Sequence, residues 1–196
     1  CPLVQGSRSM TGCVATAMAM ILKYHNFPVK GKGTHSYKTS SGLECSFDYG
    51  STTFSWNEMR SQYVGGNYTT EEANAVAELM HASGVAVDME YSPSSSGAYS
   101  FKVGQALIDY FGYDENLGYV CRQYFTSEEW MNMIKTELSE RRPVLYNGAS
   151  KDVGHEFVFD GYDSQDMVHV NWGWGGLNNG YFEVVSLDPS SPGIGG

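Results

Sequence analysis

Positive charge and long apolar runs are both scarce in this chain. It has 12 Lys and Arg residues against 22 Asp and Glu residues, which gives a formal net charge of −10 over 196 residues. Proteins that bind nucleic acid usually carry a basic stripe, and this sequence offers only the isolated pairs Lys30/Lys32 and Arg141/Arg142. No apolar run approaches the length of about 20 residues that a membrane span requires. The sequence therefore disfavours a nucleic-acid partner, an anionic membrane surface and a membrane span.

Short metal and redox motifs are also missing. The cysteines Cys1, Cys13, Cys45 and Cys121 form no CxxC pair, and there is no HExxH motif. We therefore expect no metal site and no cofactor. Four cysteines could form two disulfides. If Cys13 stays free, at most one disulfide can form, and the sequence does not decide which of the other cysteines would pair.

What the chain does contain changes in character along its length. Helical patterns fill the first two-thirds, at 13–25, from Thr69 to Gly84, at 101–112 and from Thr126 to Arg142. The last third has β-branched and aromatic runs, which predict antiparallel strands at 144–148, 155–162, 167–172 and 181–187. A further strand is predicted at 86–91, and 29–53 is typical of a loop or a short hairpin. This segregation predicts an α+β fold.

These ranges also indicate one domain over 1–196 that is built from two lobes. We expect a mainly helical lobe over about 1–142, a mainly β lobe over 143–196, and a cleft between them that holds the site. The helix at 13–25 is apolar on nearly all sides, so it is expected to lie buried at the centre of the helical lobe.

Cys13 stands behind Thr11-Gly12 at the start of that apolar helix. A helix start presents unpaired N–H groups and the positive end of the helix dipole, and both favour an anion. A thiol placed there loses its proton more easily, and the thiolate is the nucleophilic form. Gly12 allows close approach of backbone or substrate. Position alone equally allows a buried, inert cysteine.

A nucleophilic cysteine needs a base, usually His, and a group that orients the base. Of the five histidines, His155 follows Gly154 at the start of a predicted strand, whereas His25 closes the first helix far from Cys13. Asn171 lies further downstream. The order Cys, His, Asn, with the Cys near the start of the chain, is the order of papain-type peptidases.

Four segments together resemble the streptopain family of bacterial papain-like cysteine peptidases: TGCVATAMAMILKYHNFP, AVDMEYSPSSSG, VGHEFVFDGYD and HVNWGWGGLNNGYF. The likeness runs from about residue 11 to the end. It implies a papain-like fold and a cysteine endopeptidase that acts through a thioester. Cys13 would be the nucleophile, His155 the base and later the acid, and Asn171 and Trp172 would orient and shield the imidazole.

The same resemblance implies where the substrate binds and how the enzyme is used. Ser96, Gly97, Gly154 and Trp174 would line the substrate cleft, with a preference for an apolar residue at the second subsite. The enzyme would be secreted or at the bacterial cell surface, extracellular or periplasmic, with a role in virulence. It would be made as a zymogen that its own propeptide inhibits, and protein or peptide substrates would be its other partners.

Two departures from the family pattern leave alternatives open, and one is Met20, at a position in the first helix where relatives often have Gln. In the family a Gln upstream of the nucleophile completes the oxyanion hole, and Gln5 is the only Gln in the opening stretch. The ending PSSPGIGG resembles the start of a Gly-rich loop that continues in relatives, so flanking segments are expected at both ends. A binding or adhesion module that keeps the fold with weak or no catalysis is therefore the alternative, and acyl transfer to an amine is a second.

Overall fold

The computed structural model describes residues 1–149 and 154–187. The chain forms two compact units that divide between Gly118 and Tyr119, here called unit 1 and unit 2. Unit 1 contains the helices α1 (Cys13–His25), α2 (Thr70–Ala86) and α3 (Lys102–Phe111), and the hairpin strands β1 (Leu3–Val4), β2 (Ser7–Arg8), β3 (Thr34–Lys38) and β4 (Glu44–Asp48). Unit 2 contains α4 (Ser127–Ser139) and the strands β5 (Val144–Ala149), β6 (Gly154–Tyr162), β7 (Val168–Asn171) and β8 (Gly180–Phe182).

The α+β prediction is confirmed, but the two units divide earlier than the lobe boundary expected at 142. The reason is that α4 packs on the sheet of unit 2. Trp130 donates its indole N–H to the hydroxyl of Tyr146 on β5 at 3.2 Å, and Ile134 is buried in the core of the same unit. A helix that buries its apolar face against strands belongs with those strands.

α1 is the buried centre of unit 1, as its all-round apolar sequence predicts. It packs against α2, and Asn26, in the left-handed conformation with φ 47°, ends it. Its buried residues are Val14, Ala15, Ala17, Met18, Ala19, Ile21 and Leu22.

The region after α2 corrects two predictions. The helix continues through Gly84 to Ala86, and the described segment 86–91 forms no strand; Glu90 only makes an isolated β-bridge with Gly97. A Cβ on Gly84 would collide with the hydroxyl of Tyr91, so this glycine serves close packing and does not end the helix. Asp88, with φ 52°, then turns the chain.

The predicted capping boxes are both present. Thr69 and Glu72 exchange hydrogen bonds at the start of α2, and Thr126 and Glu129 do the same at the start of α4. α4 ends at Ser139, a few residues before the expected position.

Two hairpins complete unit 1. The segment read as a loop or hairpin does form one, with β3 and β4 antiparallel. The hairpin of β1 and β2 was not predicted; its turn consists of Gln5 and Gly6, which have φ 51° and 79°, the positive values that tight two-residue turns require.

Unit 2 is an antiparallel sheet in the order β5-β6-β7-β8. β8 is shorter than the strand expected at 181–187, and a bulge interrupts the pairing of β6 with β7 between Phe159 and Gly161. Buried and half-buried residues alternate along β7, and α4 covers part of the sheet. The buried core of this unit consists of Trp130, Ile134, Phe157, Phe159, Val168, Val170, Trp172 and Phe182.

Three features of the described ranges bear on function. None of their helices combines the length and the apolar character that a membrane crossing demands. They hold no group of three or more His, Cys, Asp or Glu side chains arranged to bind a metal ion. All four cysteines are free thiols. The Gly-rich ending at 189–196 lies outside the described residues.

Candidate active site

Cys13 is the first residue of α1, and its thiol is half-buried. All residues of this region are described, and no side chain caps the helix start, nor does an acidic residue lie in the first turn. The unpaired N–H groups and the positive end of the helix dipole therefore act on the thiol without a competing carboxylate on that turn. The Gly12 carbonyl accepts both the backbone N–H and the hydroxyl of Thr16, at 3.1 and 2.9 Å.

Position 12 strongly favours glycine. Its φ of 87° lies in the left-handed region, which favours glycine. A Cβ here would also lie 2.6 Å from the sulfur of Met89 and 3.2 Å from the carbonyl oxygen of Ser96. Met89 is fully buried. The chain's own backbone at Gly12, just before Cys13, is thus packed closely against Met89 and Ser96.

The loop at 92–97 presents one predicted substrate residue outward and the other inward. Gly97 is exposed and bridges to Glu90 through two backbone hydrogen bonds of 2.9 and 3.2 Å. Ser96 is only 8% exposed, and its hydroxyl lies 2.8 Å from the Met10 carbonyl. Contact of Ser96 and Gly97 with substrate stays a prediction, and for Ser96 the hydroxyl is already engaged within unit 1.

Asp88 anchors the turn just before Met89. Its carboxylate accepts hydrogen bonds from the ring Nε2 of His35 and from Nζ of Lys102, both at 2.7 Å. Burial alone raises the pKa of the Asp88 carboxyl, but the hydrogen bonds and charges of Lys102 and His35 outweigh burial and hold that pKa below its ordinary value.

His155 is the second residue of β6, opposite Gly148 on β5. Its Nε2 lies 2.9 Å from the carbonyl oxygen of Trp172. Because a carbonyl can only accept, Nε2 carries the proton in the neutral ring, and Nδ1 keeps the lone pair. Unit 2 therefore holds this imidazole in the tautomer in which Nδ1 is the free base.

Aromatic rings fix the plane of the same imidazole. Trp172 stacks at 6.1 Å between centroids with 20° between planes, and Trp174 lies at 4.9 Å. Trp172 is 3% exposed, and it also packs against Phe157 at 4.7 Å. Trp174 is 43% exposed. The shielding role predicted for Trp172 stays a prediction, and the indole of Trp174 presents an open aromatic surface beside the histidine.

Asn171 has a different local role from the one expected. Its side-chain oxygen accepts the backbone N–H of Gly173 at 3.1 Å, and the bond to the imidazole comes from the main chain of Trp172. Asn171 thus supports the turn that presents the Trp172 carbonyl. The orienting role predicted for Asn171 stays a prediction, and the geometry makes it an indirect one.

The turn after β7 closes around Trp172. The indole N–H of Trp172 donates to the Asn178 carbonyl at 3.0 Å, and its backbone N–H donates to the side chain of Asn179 at 3.1 Å. Gly173 has φ 76°, a value that glycine adopts without strain. The WGWGG sequence is therefore a turn wrapped around one buried indole.

The structure also places the remaining predicted residues. Gly154 begins β6, is exposed, and pairs with Ala149. Gln5 lies at the exposed turn of the first hairpin. The roles of Gly154 in substrate binding and of Gln5 in the oxyanion hole stay predictions.

Sequence reasoning did not single out three residues that support the site. Met89 and Asp88 lie in the segment mistaken for a strand. Glu156, next to His155, is 1% exposed, and its carboxylate accepts the side-chain amide of Asn147 at 3.0 Å. No periodic pattern marks such residues, because their importance comes from tertiary contacts.

Comparison with known proteins relates this geometry to other chains. The model of the peptidase C10 family matches residues 1–182. Streptopain of Streptococcus pyogenes is 41% identical over 199 aligned residues, which cover 97% of this chain and 50% of streptopain. The structure of active wild-type interpain A cysteine protease from Prevotella intermedia matches with a TM-score of 0.91 and 42% identity over 96% of this chain and 80% of that chain.

A prointerpain A fragment from the same species matches with a TM-score of 0.86 and 42% identity over 93% of this chain and 59% of that one. The chain spans about half the length of streptopain, 50% of that protein. These matches confirm the resemblance drawn from the four sequence segments and the papain-like α+β fold that it implies. The chain belongs to the peptidase C10 family.

Proposed function

We propose that the chain is a cysteine endopeptidase in which Cys13 is the nucleophile and His155 carries the proton. The observation that carries this proposal is the high identity, along nearly the whole chain, to streptopain and to a protein described as a cysteine protease. The local geometry supports it. Unit 1 offers a thiol at an uncapped helix start, and unit 2 offers an imidazole with its tautomer fixed.

The proposed reaction passes through a thioester. Nδ1 of His155 accepts the thiol proton, and the sulfur of Cys13 attacks the peptide carbonyl to give a tetrahedral oxyanion. The imidazolium returns the proton to the leaving amine as the C–N bond breaks, which leaves an acyl group on sulfur. Water, deprotonated by the same imidazole, then hydrolyses the thioester.

The backbone N–H of Cys13 is the proposed oxyanion donor. It lies at the N-terminal end of α1, where backbone N–H groups have no partner within the helix. A donor that is already aimed at the developing charge lowers the barrier of both acyl-transfer steps. Gln5 is the candidate for a second donor.

Substrate and biological setting belong to the same proposal. Gly97, Gly154 and Trp174 are exposed, and Trp174 offers an aromatic surface on which an extended peptide could pack. The backbone N–H and carbonyl of Gly97 are already bonded to Glu90, so the substrate would meet the surface of this glycine and not a free strand edge. The solved prointerpain A fragment supports a zymogen with an inhibitory propeptide. Secretion, with protein substrates outside the bacterial cell, is part of the same proposal, and the likeness to streptopain and interpain A supports it.

A binding module with little catalysis is the second candidate, and the position of Gln5 favours it. Gln5 stands at an exposed two-residue hairpin turn, which is a poor place for a rigid oxyanion donor. An enzyme without a second donor would turn over slowly but would keep its fold and its surfaces.

Hydrolysis of a fluorogenic peptide by Cys13→Ala tests the proposal. We expect loss of activity by roughly 10⁴-fold or more, because the covalent route disappears with the nucleophile. Cys121→Ala is the matched control, since Cys121 is also a free, half-buried thiol, and it should keep wild-type activity. Unchanged turnover in Cys13→Ala would end the nucleophile assignment, and a wild-type chain that cleaves no peptide but binds it would favour the module.

A further inference from the structure

The loop at 92–97 in unit 1 is hydrogen-bonded to the backbone just before the nucleophile. The Met10 N–H donates to the Ser92 carbonyl at 3.0 Å, and the Met10 carbonyl accepts the Ser96 hydroxyl at 2.8 Å. The same hydroxyl accepts the backbone N–H of Ser92 at 3.0 Å. The Ser96 hydroxyl therefore joins the two ends of the loop to each other and joins the loop to Met10.

The burial of Ser96 makes this hydroxyl hard to replace. Ser96 is 8% exposed, so water has little access to its hydroxyl, although Met10, whose carbonyl it binds, is 55% exposed. A buried carbonyl or N–H that loses its partner bears most of its desolvation penalty. Removal of the hydroxyl would therefore loosen the attachment of the loop to Met10.

The second contact of Ser96 lies beside the nucleophile. Its carbonyl oxygen is 3.2 Å from the position that a Cβ on Gly12 would occupy, so its backbone packs directly against Gly12. Ser96 thus meets this segment at two points: its hydroxyl bonds to Met10, and its backbone lies close to Gly12. Only Thr11 lies between them.

We propose that Ser96 is a positioning residue for the reaction. Its hydroxyl holds Met10, two residues before Gly12, and so helps to set the peptide plane between Gly12 and Cys13, whose carbonyl Thr16 also holds. That plane sets the direction of the Cys13 N–H. The inference rests on the proposed function, because it takes this N–H to be an oxyanion donor. It assigns Ser96 a role that differs from the substrate contact expected from the sequence.

The test compares Ser96→Ala with Ser94→Ala, the matched control. Ser94 belongs to the same loop, but its hydrogen bonds run to Ser92 within the loop and not to Met10. Three quantities are measured on each: kcat and KM for a fluorogenic peptide amide, inhibition by the aldehyde acetyl-Leu-Leu-norleucinal, and the alkylation rate of Cys13 by iodoacetamide. The aldehyde adduct places an oxygen at the oxyanion position, whereas alkylation needs only the thiolate.

In Ser96→Ala we expect kcat to fall about 10-fold or more and KM to stay within about twofold, because a misdirected oxyanion donor affects the transition state and not substrate binding. Aldehyde affinity should fall by a similar factor, and alkylation should stay within about twofold of wild type. Ser96→Thr, which keeps the hydroxyl, should recover most of the aldehyde affinity. Ser94→Ala should match wild type in all three.

Three results would overturn the inference. They are an unchanged kcat in Ser96→Ala, equal losses in the two alanine variants, or an alkylation rate that falls in parallel with kcat and so reports general loosening. If Ser96→Ala does not fold, Ser96→Thr decides. A folded Ser96→Thr chain that binds the aldehyde at least 10-fold more weakly than wild type also overturns the inference. Failure of the proposed function is a separate outcome, seen as turnover that survives Cys13→Ala.

Discussion

The two units hold their candidate reactive groups by different means. In unit 1 the thiol of Cys13 is placed by backbone: a helix start, a glycine with φ 87° and a loop bound to the entering segment. In unit 2 the imidazole of His155 is placed by rings and by the main-chain carbonyl of Trp172. The thiol should therefore be sensitive to changes of backbone conformation, and the imidazole to changes of packing.

Among substitutions in unit 2, His155→Ala should lower kcat the most. Loss of a proton-transfer group costs about 10²–10⁴-fold in rate, and we expect a fall of kcat in that range with little change in folding, because His155 is half-buried. His169→Ala is the control, since His169 lies on the neighbouring strand β7 and bonds to Asp160. Equal losses in the two variants would remove the special role of His155.

Trp172→Ala and Trp174→Ala distinguish the effect of a buried indole on stability from the effect of an exposed indole on the rate. Trp172 is 3% exposed in the core of unit 2, so its loss should lower the free energy of unfolding by about 3–5 kcal/mol. Trp174 is 43% exposed, so its removal should leave stability within about 1 kcal/mol of wild type and mainly lower the rate. Chemical denaturation gives the first quantity and peptide hydrolysis the second. Similar stability losses would contradict the packing account of this unit.

Gly12→Ala tests the backbone account of unit 1. An alanine needs φ 87° and meets the sulfur of Met89 at 2.6 Å, so we expect a loss of about 1–3 kcal/mol in the free energy of unfolding and a clear fall in kcat. The exposed Gly97→Ala is the control for stability, because a Cβ there meets open space. A Gly12→Ala chain as stable and active as wild type would show that this fit is unimportant.

Asp88→Asn should have the smallest effect, and one that depends on pH. The pKa of Asp88 is held below its ordinary value, so its stabilising contribution is present at pH above about 4, the range where an unfolded Asp is ionised. It is lost as pH falls through the lower pKa of the folded state. Asparagine also tolerates φ 52°, so the variant removes charge with little strain.

We expect Asp88→Asn to lower the free energy of unfolding by about 1 kcal/mol or less near neutral pH. In acid the free energies of unfolding of the variant and of the wild type should become equal. Denaturation curves at several pH values measure both. A difference that grows as the pH falls would have the wrong sign for this account.

Much of this arrangement could be predicted from local sequence, and some of it could not. The start of α1 at Cys13 and both capping boxes follow from short-range signals, and the strands of unit 2 follow from β-branched and aromatic runs. The segment 86–91 alternates like a strand, yet Gly84 lets α2 continue beneath Tyr91. That outcome depends on packing between distant residues, which no periodicity records.

The candidate site shows the same limit. The residue types and their order predicted Cys13, His155 and Asn171, and the family resemblance added Trp172. The tautomer of His155 depends on a carbonyl of Trp172, and the inward direction of the Ser96 hydroxyl depends on Met10. Both are tertiary hydrogen bonds to backbone, and a backbone acceptor leaves no mark on the sequence.

Acid-quench trapping of the acyl-enzyme tests the central claim most directly. The chain is mixed with an activated peptide ester, for which deacylation is the slow step, quenched in acid, and mapped by mass spectrometry. The account predicts one acyl group, carried by the fragment that contains Cys13 and absent from Cys13→Ala. An acyl group on Cys1, Cys45 or Cys121 instead, with turnover retained in Cys13→Ala, would contradict it.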